Sequence, residues 1–191
     1  MNFSIRPGHL RDQGFVCSRL LNGSRNGHFH IDVDNKQKMK TFRAQVNDAL
    51  HSTQDNPHSI RSIYIAESRA QRIGIAIVDF IDPYGFNREI HAMSILPEYQ
   101  SQGYGSALLD QLMTRLQASG IYVRCSAASE QMYQMLLHRG FHYLRTTDGG
   151  YRVLKRDTLD LRDLMTAQSD RHGLLIDRWL QQQEAPPLFG G

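Results

Sequence analysis

Toward the N-terminus, apolar residues recur every three or four positions, whereas through the middle of the chain they come in short dense runs. That change of period predicts helices first and strands after. Phe3 and Ile5 alternate with polar residues ahead of Pro7, as in a short first strand. Leu10, Phe15, Val16, Leu20 and Leu21 keep helical spacing from His9 to Leu21, and Asn22-Gly23 supplies a stop. Residues 24–34 read as a loop carrying His28, Phe29 and His30. A second helix is predicted over 35–50, with Met39, Phe42, Val46 and Leu50 on one face. Residues 51–58 are polar and read as turns.

Ile60, Ile63 and Ile65 open a strand-like segment, and residues 74–80 are rich in Ile, Val and Ala, as in a strand buried on both faces. Asp82-Pro83-Tyr84-Gly85 signals a turn. The next strand is predicted over 88–96, and a helix from Ser106 buries Leu108, Leu109, Leu112, Met113 and Leu116 before Gly120. Ile121, Val123 and Cys125 alternate as a strand. A helix over 129–139 presents Met132, Tyr133, Leu136 and Leu137 and stops at Gly140. Residues 141–145 and 151–154 bracket Asp148-Gly149-Gly150 as a hairpin. This order predicts a mixed α/β sheet flanked by helices, complete by residue 155. Residues 156–191 form an extension with helix-patterned Leu174, Leu175, Ile176, Trp179 and Leu180, and a loose tail from Glu184. That apolar set either packs on the domain, or offers a surface to a second copy, making a homodimer, or to another partner.

Composition narrows the classes. The net charge of +3 comes without a dense Lys/Arg block, which argues against a nucleic-acid partner. Cys17 and Cys125 are too few for a disulfide framework or a zinc site. His28 and His30 with Asp32 and Asp34 lack a recognised metal-ligand spacing, so no metal is expected. No signal-peptide core or membrane-length apolar run occurs, and a cytoplasmic, membrane-free setting is expected.

The segment Gln100-Ser101-Gln102-Gly103-Tyr104-Gly105 joins a predicted strand to a predicted helix. Helix N-termini present unpaired N–H groups to anions, and glycines let a phosphate approach the backbone. A dinucleotide-binding turn needs a third small residue where Leu108 stands, and a Walker A loop needs a Gly-Lys-Ser/Thr that is absent. With Ile95, Leu96 and Pro97 before it and Gly140-Phe141 after the later helix, the pattern Gln-x-x-Gly-x-Gly resembles the acetyl-CoA-binding motif of the GCN5-related N-acetyltransferases (GNAT). The resemblance runs from Ile60 to Leu154, and the first two helices fit in order only. It implies a central, mostly antiparallel mixed sheet and an N-acetyltransferase that moves an acetyl group from acetyl-CoA to a primary amine.

The resemblance also implies roles. Backbone N–H groups within Gln102, Gly103, Tyr104, Gly105 and Ser106 would hold the pyrophosphate, with Gln100 and Ser101 shaping the turn. The strand ending at Ile95 would pair with the pantetheine arm, and the N–H of Met93 would face the thioester carbonyl. Glu89, upstream on that strand, matches the general base of the family's histone-type members, and its apolar neighbours imply partial burial that would tune it. His91, at period two from Glu89, is a second base or a structural histidine. Asp82 and Tyr84 either line an acceptor pocket or simply make their turn. Leu136 replaces the tyrosine that usually protonates the departing thiolate. Tyr133, three residues earlier, either substitutes or is an ordinary packed tyrosine, and water is the other donor. Ser129 stands where an asparagine usually touches the cofactor, and it also suits a helix N-cap. The acceptor amine is expected to lie under residues 22–58, including Arg25, His28, Phe29 and His30. The missing tyrosine leaves a second class open: a CoA-responsive regulatory protein without turnover. Another acyl-CoA donor is a third.

Overall fold

A computed structural model describes residues 2–28, 30–31, 33–55, 60–82 and 87–157. Strand β1 (Phe3–Pro7) leads through a short 3-10 turn into helix α1 (Gln13–Arg25), followed by α2 (Lys36–Asp55). Strands β2 (Arg61–Ser68), β3 (Gln71–Phe80) and β4 (Asn87–Ile95) come next, then α3 (Tyr104–Arg115), β5 (Gly120–Cys125), α4 (Glu130–Leu137), β6 (His142–Thr146) and β7 (Arg152–Arg156). The strands form one seven-stranded sheet in the order β1-β2-β3-β4-β5-β7-β6. Every neighbouring pair is antiparallel except β4 and β5. The mixed, mostly antiparallel sheet expected from the sequence is therefore present.

Two apolar layers hold it. On one face Val16, Leu20, Phe42, Val46 and Leu50 of α1 and α2 pack on Ile63, Ile65, Ile75, Ile77 and Ala92. On the other, Leu108, Leu109, Leu112 and Leu136 of α3 and α4 pack on Ala76, Val78, Ile90, Val123 and Leu154. Covering both faces is why β3 is apolar along nearly its whole length. Each of the Val, Leu, Ile and Phe side chains among them stabilises the fold by about 1.5–3 kcal/mol.

Tertiary contacts moved several predicted boundaries. Helix α1 passes through Gly23, which is buried, and the chain turns at Gly27, where φ is +72°. Packing of that face outweighs the roughly 1 kcal/mol helix cost of glycine. Helix α2 continues past residue 50 to Asp55. Thr53 is buried there, donates to the Ala49 carbonyl at 2.6 Å and accepts from the Ile63 amide at 2.9 Å. The polar residues that read as turns thus tie a helix end to β2. Phe141 is a buried core residue, and its strand starts only at His142. Gly140, with φ of +79°, ends the preceding helix region as expected. Phe29, Asp32, Tyr84 and the segment 158–191, with Trp179 and the dimer surface expected of it, lie outside the described residues. Among the described residues no helix is long and apolar enough to cross a membrane.

Strand β4 departs from regular pairing in two places. Its ladder with β5 runs from Asn87–Gly120 to Ile90–Val123 and stops, although β4 continues to Ile95 and β5 to Cys125. Against β3, Ile77 faces Ala92 while Val78 faces Ile90, so His91 is the extra residue of a β-bulge.

Candidate functional site

The turn after β4 is an array of unused donors. Ser101 has φ of +59° and Gly103 of +83°, so two left-handed residues bend the backbone into a concavity. Helix α3 starts at Tyr104, two residues before the predicted Ser106, and its first amide bonded to the preceding chain is Ala107, to the Gly103 carbonyl at 3.0 Å. Among the described residues no backbone carbonyl accepts from the amides of Gln102 to Ser106. A Cβ built on Gly105 meets nothing within 4 Å, so the first turn faces open space. These features fit a diphosphate at the positive end of a helix.

The side chains around the turn fix it in place. Gln100 Nε2 donates to the Ile95 carbonyl at 3.0 Å, and Gln102 Nε2 to the Glu98 carbonyl at 2.7 Å. The Tyr104 hydroxyl meets Ser68 Oγ at 3.1 Å, and its ring packs on Tyr99 and Phe3. Ser106 Oγ donates to Met135 Sδ at 3.4 Å, joining the start of α3 to α4. Below the turn, the β5-facing edge of His91 to Ile95 has no strand partner among the described residues. Met93 and Ile95 lie on this stretch, Ile95 opposite Gly74. A Cβ on Gly74 would come within 2.6 Å of the Ser94 carbonyl and 2.5 Å of Ile95 Cδ1, so the glycine lets the two strands close tightly there.

A row of buried charges crosses the sheet on the α1–α2 face. Glu89 is 1% exposed, and Arg124 of β5 grips its two oxygens from Nε at 2.6 Å and Nη2 at 3.0 Å. Next to it, Asp79 of β3 accepts from Arg61 Nε at 2.7 Å and Arg61 Nη2 at 2.7 Å, and its Oδ2 meets His91 Nδ1 at 3.0 Å. Sequence reasoning missed Arg124 and Asp79. The available signal was a charge inside a strand otherwise buried on both faces, which needs a counter-charge.

A family model described as the acetyltransferase (GNAT) family matches residues 27–141, more than half of the chain. The chain belongs to the GNAT acetyltransferases. Solved structures share the fold at low identity. An N-acetyltransferase, PaiA, of Thermoplasma acidophilum in complex with coenzyme A aligns at TM-score 0.61 and 15% identity, covering 82% of this chain and 99% of that one. A spermidine N-acetyltransferase of Vibrio cholerae with CoA and spermine aligns at TM-score 0.63 and 15% identity, covering 81% and 93%. RimL, a ribosomal L7/L12 α-N-protein acetyltransferase in complex with CoA, aligns at TM-score 0.64 and 14% identity, covering 83% and 95%. No curated protein matches the chain. Acetyl-CoA is the GNAT donor, and the unpaired amides of 102–106 suit its diphosphate.

Several expected GNAT side chains take other partners. Glu89, expected as a partly buried base, is the acceptor half of a bidentate ion pair. Both of its oxygens are held by Arg124 in the interior of the sheet. Ser129 sits at the N-cap position of α4 but its hydroxyl makes no capping bond. It meets His28 Nδ1 at 3.0 Å and Ser126 Oγ at 3.2 Å instead, which brings the α1–α2 loop to the C-terminal end of β5. Leu136 is fully buried, so the position usually held by tyrosine belongs to the core. Tyr133 packs against that core, and the Arg152 guanidinium lies 3.9 Å over its ring. Burial pushes the Cys125 thiol up to about 12, which keeps it protonated and inert at the open end of β5. Asp82 accepts from the Asn87 amide, the first of β4, at 2.6 Å. A hollow of about 580 Å³ lies on the loop and first turns of α2, lined by Val33, Met39, Lys36, Lys40 and Arg43 among others. It shares no residue with β4 or β5 and is not the cofactor channel. Among the described residues no cluster of His, Cys, Asp and Glu is arranged to hold a metal.

Two buried aspartates make this GNAT fold acid-sensitive. Burial raises Asp12 and Asp79, but hydrogen bonds from Arg6 and the His9 amide to Asp12, and from His91 and Arg61 to Asp79, overcome it and hold both at about 2. The unfolded carboxyl titrates near 3.8, so the folded state binds fewer protons between the two values. Each aspartate therefore stabilises the fold above pH 4, and that contribution disappears as pH falls toward 2. We expect the unfolding free energy from urea titrations to drop steeply between pH 4.5 and pH 2.5, by about 2 kcal/mol per aspartate. Asp12→Asn should flatten that slope while lowering the plateau. An unchanged slope would show that the Arg6–Asp12 pair is not retained in solution.

Proposed function

We propose that the protein is an N-acetyltransferase in which a primary amine attacks the acetyl-CoA thioester directly. The observation that carries this reading is the row of unused amides from Gln102 to Ser106 placed directly above the open edge of β4. The thioester supplies an activated acyl carbon. The chain supplies the rest by position. The amides of 102–106, with Gln100 and Ser101 fixing their turn, hold the diphosphate. The β4 edge through Ile95 pairs with the amide-bearing arm in the manner of an added strand. The Met93 N–H stabilises negative charge that develops on the carbonyl oxygen. The Ser129 hydroxyl, near His28, reaches the same channel from the α4 side. Tyr133 or a water returns a proton to the leaving thiolate.

Calorimetry with acetyl-CoA, followed by a panel of primary amines read through CoA release, tests the reading. Saturable binding together with turnover on at least one amine is the expected result, and absence of binding would sink it. The buried Leu136 and the ion-paired Glu89 favour a second reading, a CoA-responsive regulator. Tight CoA binding with no turnover on any amine would select it. Running succinyl-CoA in parallel identifies the acyl group.

A further inference from the structure

The acceptor amine must lose a proton before it can attack, and Glu89 is committed to Arg124. The next ionisable group along the same strand and on the same face is His91. The bulge gives the strand its extra residue there and re-aims that side chain. Its Nδ1 lies 3.0 Å from Asp79 Oδ2, with only 11% of either side chain exposed. A buried carboxylate at one ring nitrogen selects the tautomer protonated there and leaves the other nitrogen as a bare acceptor. Nε2 has no hydrogen-bond partner among the described residues. Arg61, bidentate on Asp79 from the far side, keeps that carboxylate charged and oriented.

Resting on the acetyl-transfer reading, we infer that His91 is the general base that takes the acceptor's proton, with Asp79 as the residue that positions it. Nε2 removes one proton from the acceptor ammonium. The neutral amine then forms its N–C bond to the acyl carbon as the C–S bond breaks. The departing thiolate takes a proton from Tyr133 or water, the second nitrogen proton replaces that one, and His91 returns its own to solvent. The charged and titratable groups around the imidazole are Asp79 on β3, Arg61 on β2, Glu89 on β4, and Arg124 and Tyr122 on β5. The helices that cover this face of the sheet carry the buried Cys17 and Arg19 of α1, with Arg43 of α2 near Cys17.

Two measurements test this. In protein labelled with ¹⁵N at histidine, long-range ¹H–¹⁵N spectra report the tautomer of each ring. His91 is picked out of the nine histidines as the signal missing from His91→Gln. The expected result is an Nδ1–H, bare-Nε2 ring in the wild type and mixed tautomers in Asp79→Asn. An Nε2–H ring in the wild type overturns the inference without reference to turnover. The second measurement is the pH dependence of kcat/KM on an accepted amine. His91→Gln should lose the acidic limb set by the imidazole and at least about a hundredfold in kcat, while its Kd for acetyl-CoA stays within twofold of wild type. Raising the pH should restore its rate, because the ammonium then loses its proton unaided, so the rise that remains follows the substrate amine and not a group of the protein. Glu89→Gln should retain the limb. A His91→Gln enzyme that keeps the limb and a kcat within threefold overturns the inference alone. A wild-type protein that turns over no amine overturns it together with the acetyl-transfer reading.

Discussion

Gly103→Asp should weaken acetyl-CoA binding by two to three orders of magnitude, measured by calorimetry at fixed ionic strength. Gly103 is the N-cap residue of α3 with φ of +83°, between the left-handed Ser101 and the unused amides of the first turn. A side chain here costs about 1 kcal/mol of backbone strain in the left-handed region. Aspartate tolerates that region better than most residues, so strain is the smaller effect. The larger effect is a carboxylate beside a diphosphate, where two unit charges about 4 Å apart repel by about 4 kcal/mol at an effective dielectric of 20. Gly103→Ala separates the two contributions and should cost no more than about tenfold. Both variants should melt close to wild type, since the turn carries little of the core. An aspartate variant that binds within fivefold of wild type would move the diphosphate elsewhere.

Arg124→Ala should be the most destabilising single change on the charged row. It leaves the Glu89 carboxylate, 1% exposed, without its bidentate partner. Breaking one half of a buried pair typically costs about 3–5 kcal/mol. For a domain of this size that is a fall in Tm of about 6–20 °C, read by calorimetry or circular dichroism. Replacing both partners, as in Glu89→Leu with Arg124→Met, should recover most of the loss, because apolar side chains of similar volume carry no desolvation penalty. A Tm unchanged in Arg124→Ala would mean that water reaches Glu89 and screens the pair.

The sequence was most legible where the local pattern and the tertiary demand agree. Residues 74–78 are free of polar side chains because they lie between two helical layers, and the strand is where its composition put it. The turn at Gly103 was legible because the anion-binding geometry lives in the backbone, and glycine reports backbone directly. Boundaries failed where a distant contact decides. Gly23 looks like a stop until α1 is packed, and the polar residues after Leu50 look like turns until Thr53 meets Ile63. The charged row was the least legible part. Glu89 was found from its place ahead of the turn, but its partner sits 35 residues away on a strand that neighbours β4 only after the crossover through α3. The bulge at His91 leaves no local trace, because it is a property of how two strands align.

The early end of the β4–β5 ladder has a consequence for solubility. An unpaired strand edge is normally a template on which another chain can add, and proteins guard the rims of their sheets for that reason. Here the unpaired edge of residues 91–95 continues a strand that pairs with β5 over residues 87–90 and with β3 on its other side, with α3 and α4 over one face. A flat strand from another molecule cannot slide in sideways, as it can at the rim. Only something slender, threaded along the gap, can satisfy those groups. The fold can therefore keep a strand's worth of open hydrogen-bonding sites without exposing them to self-association.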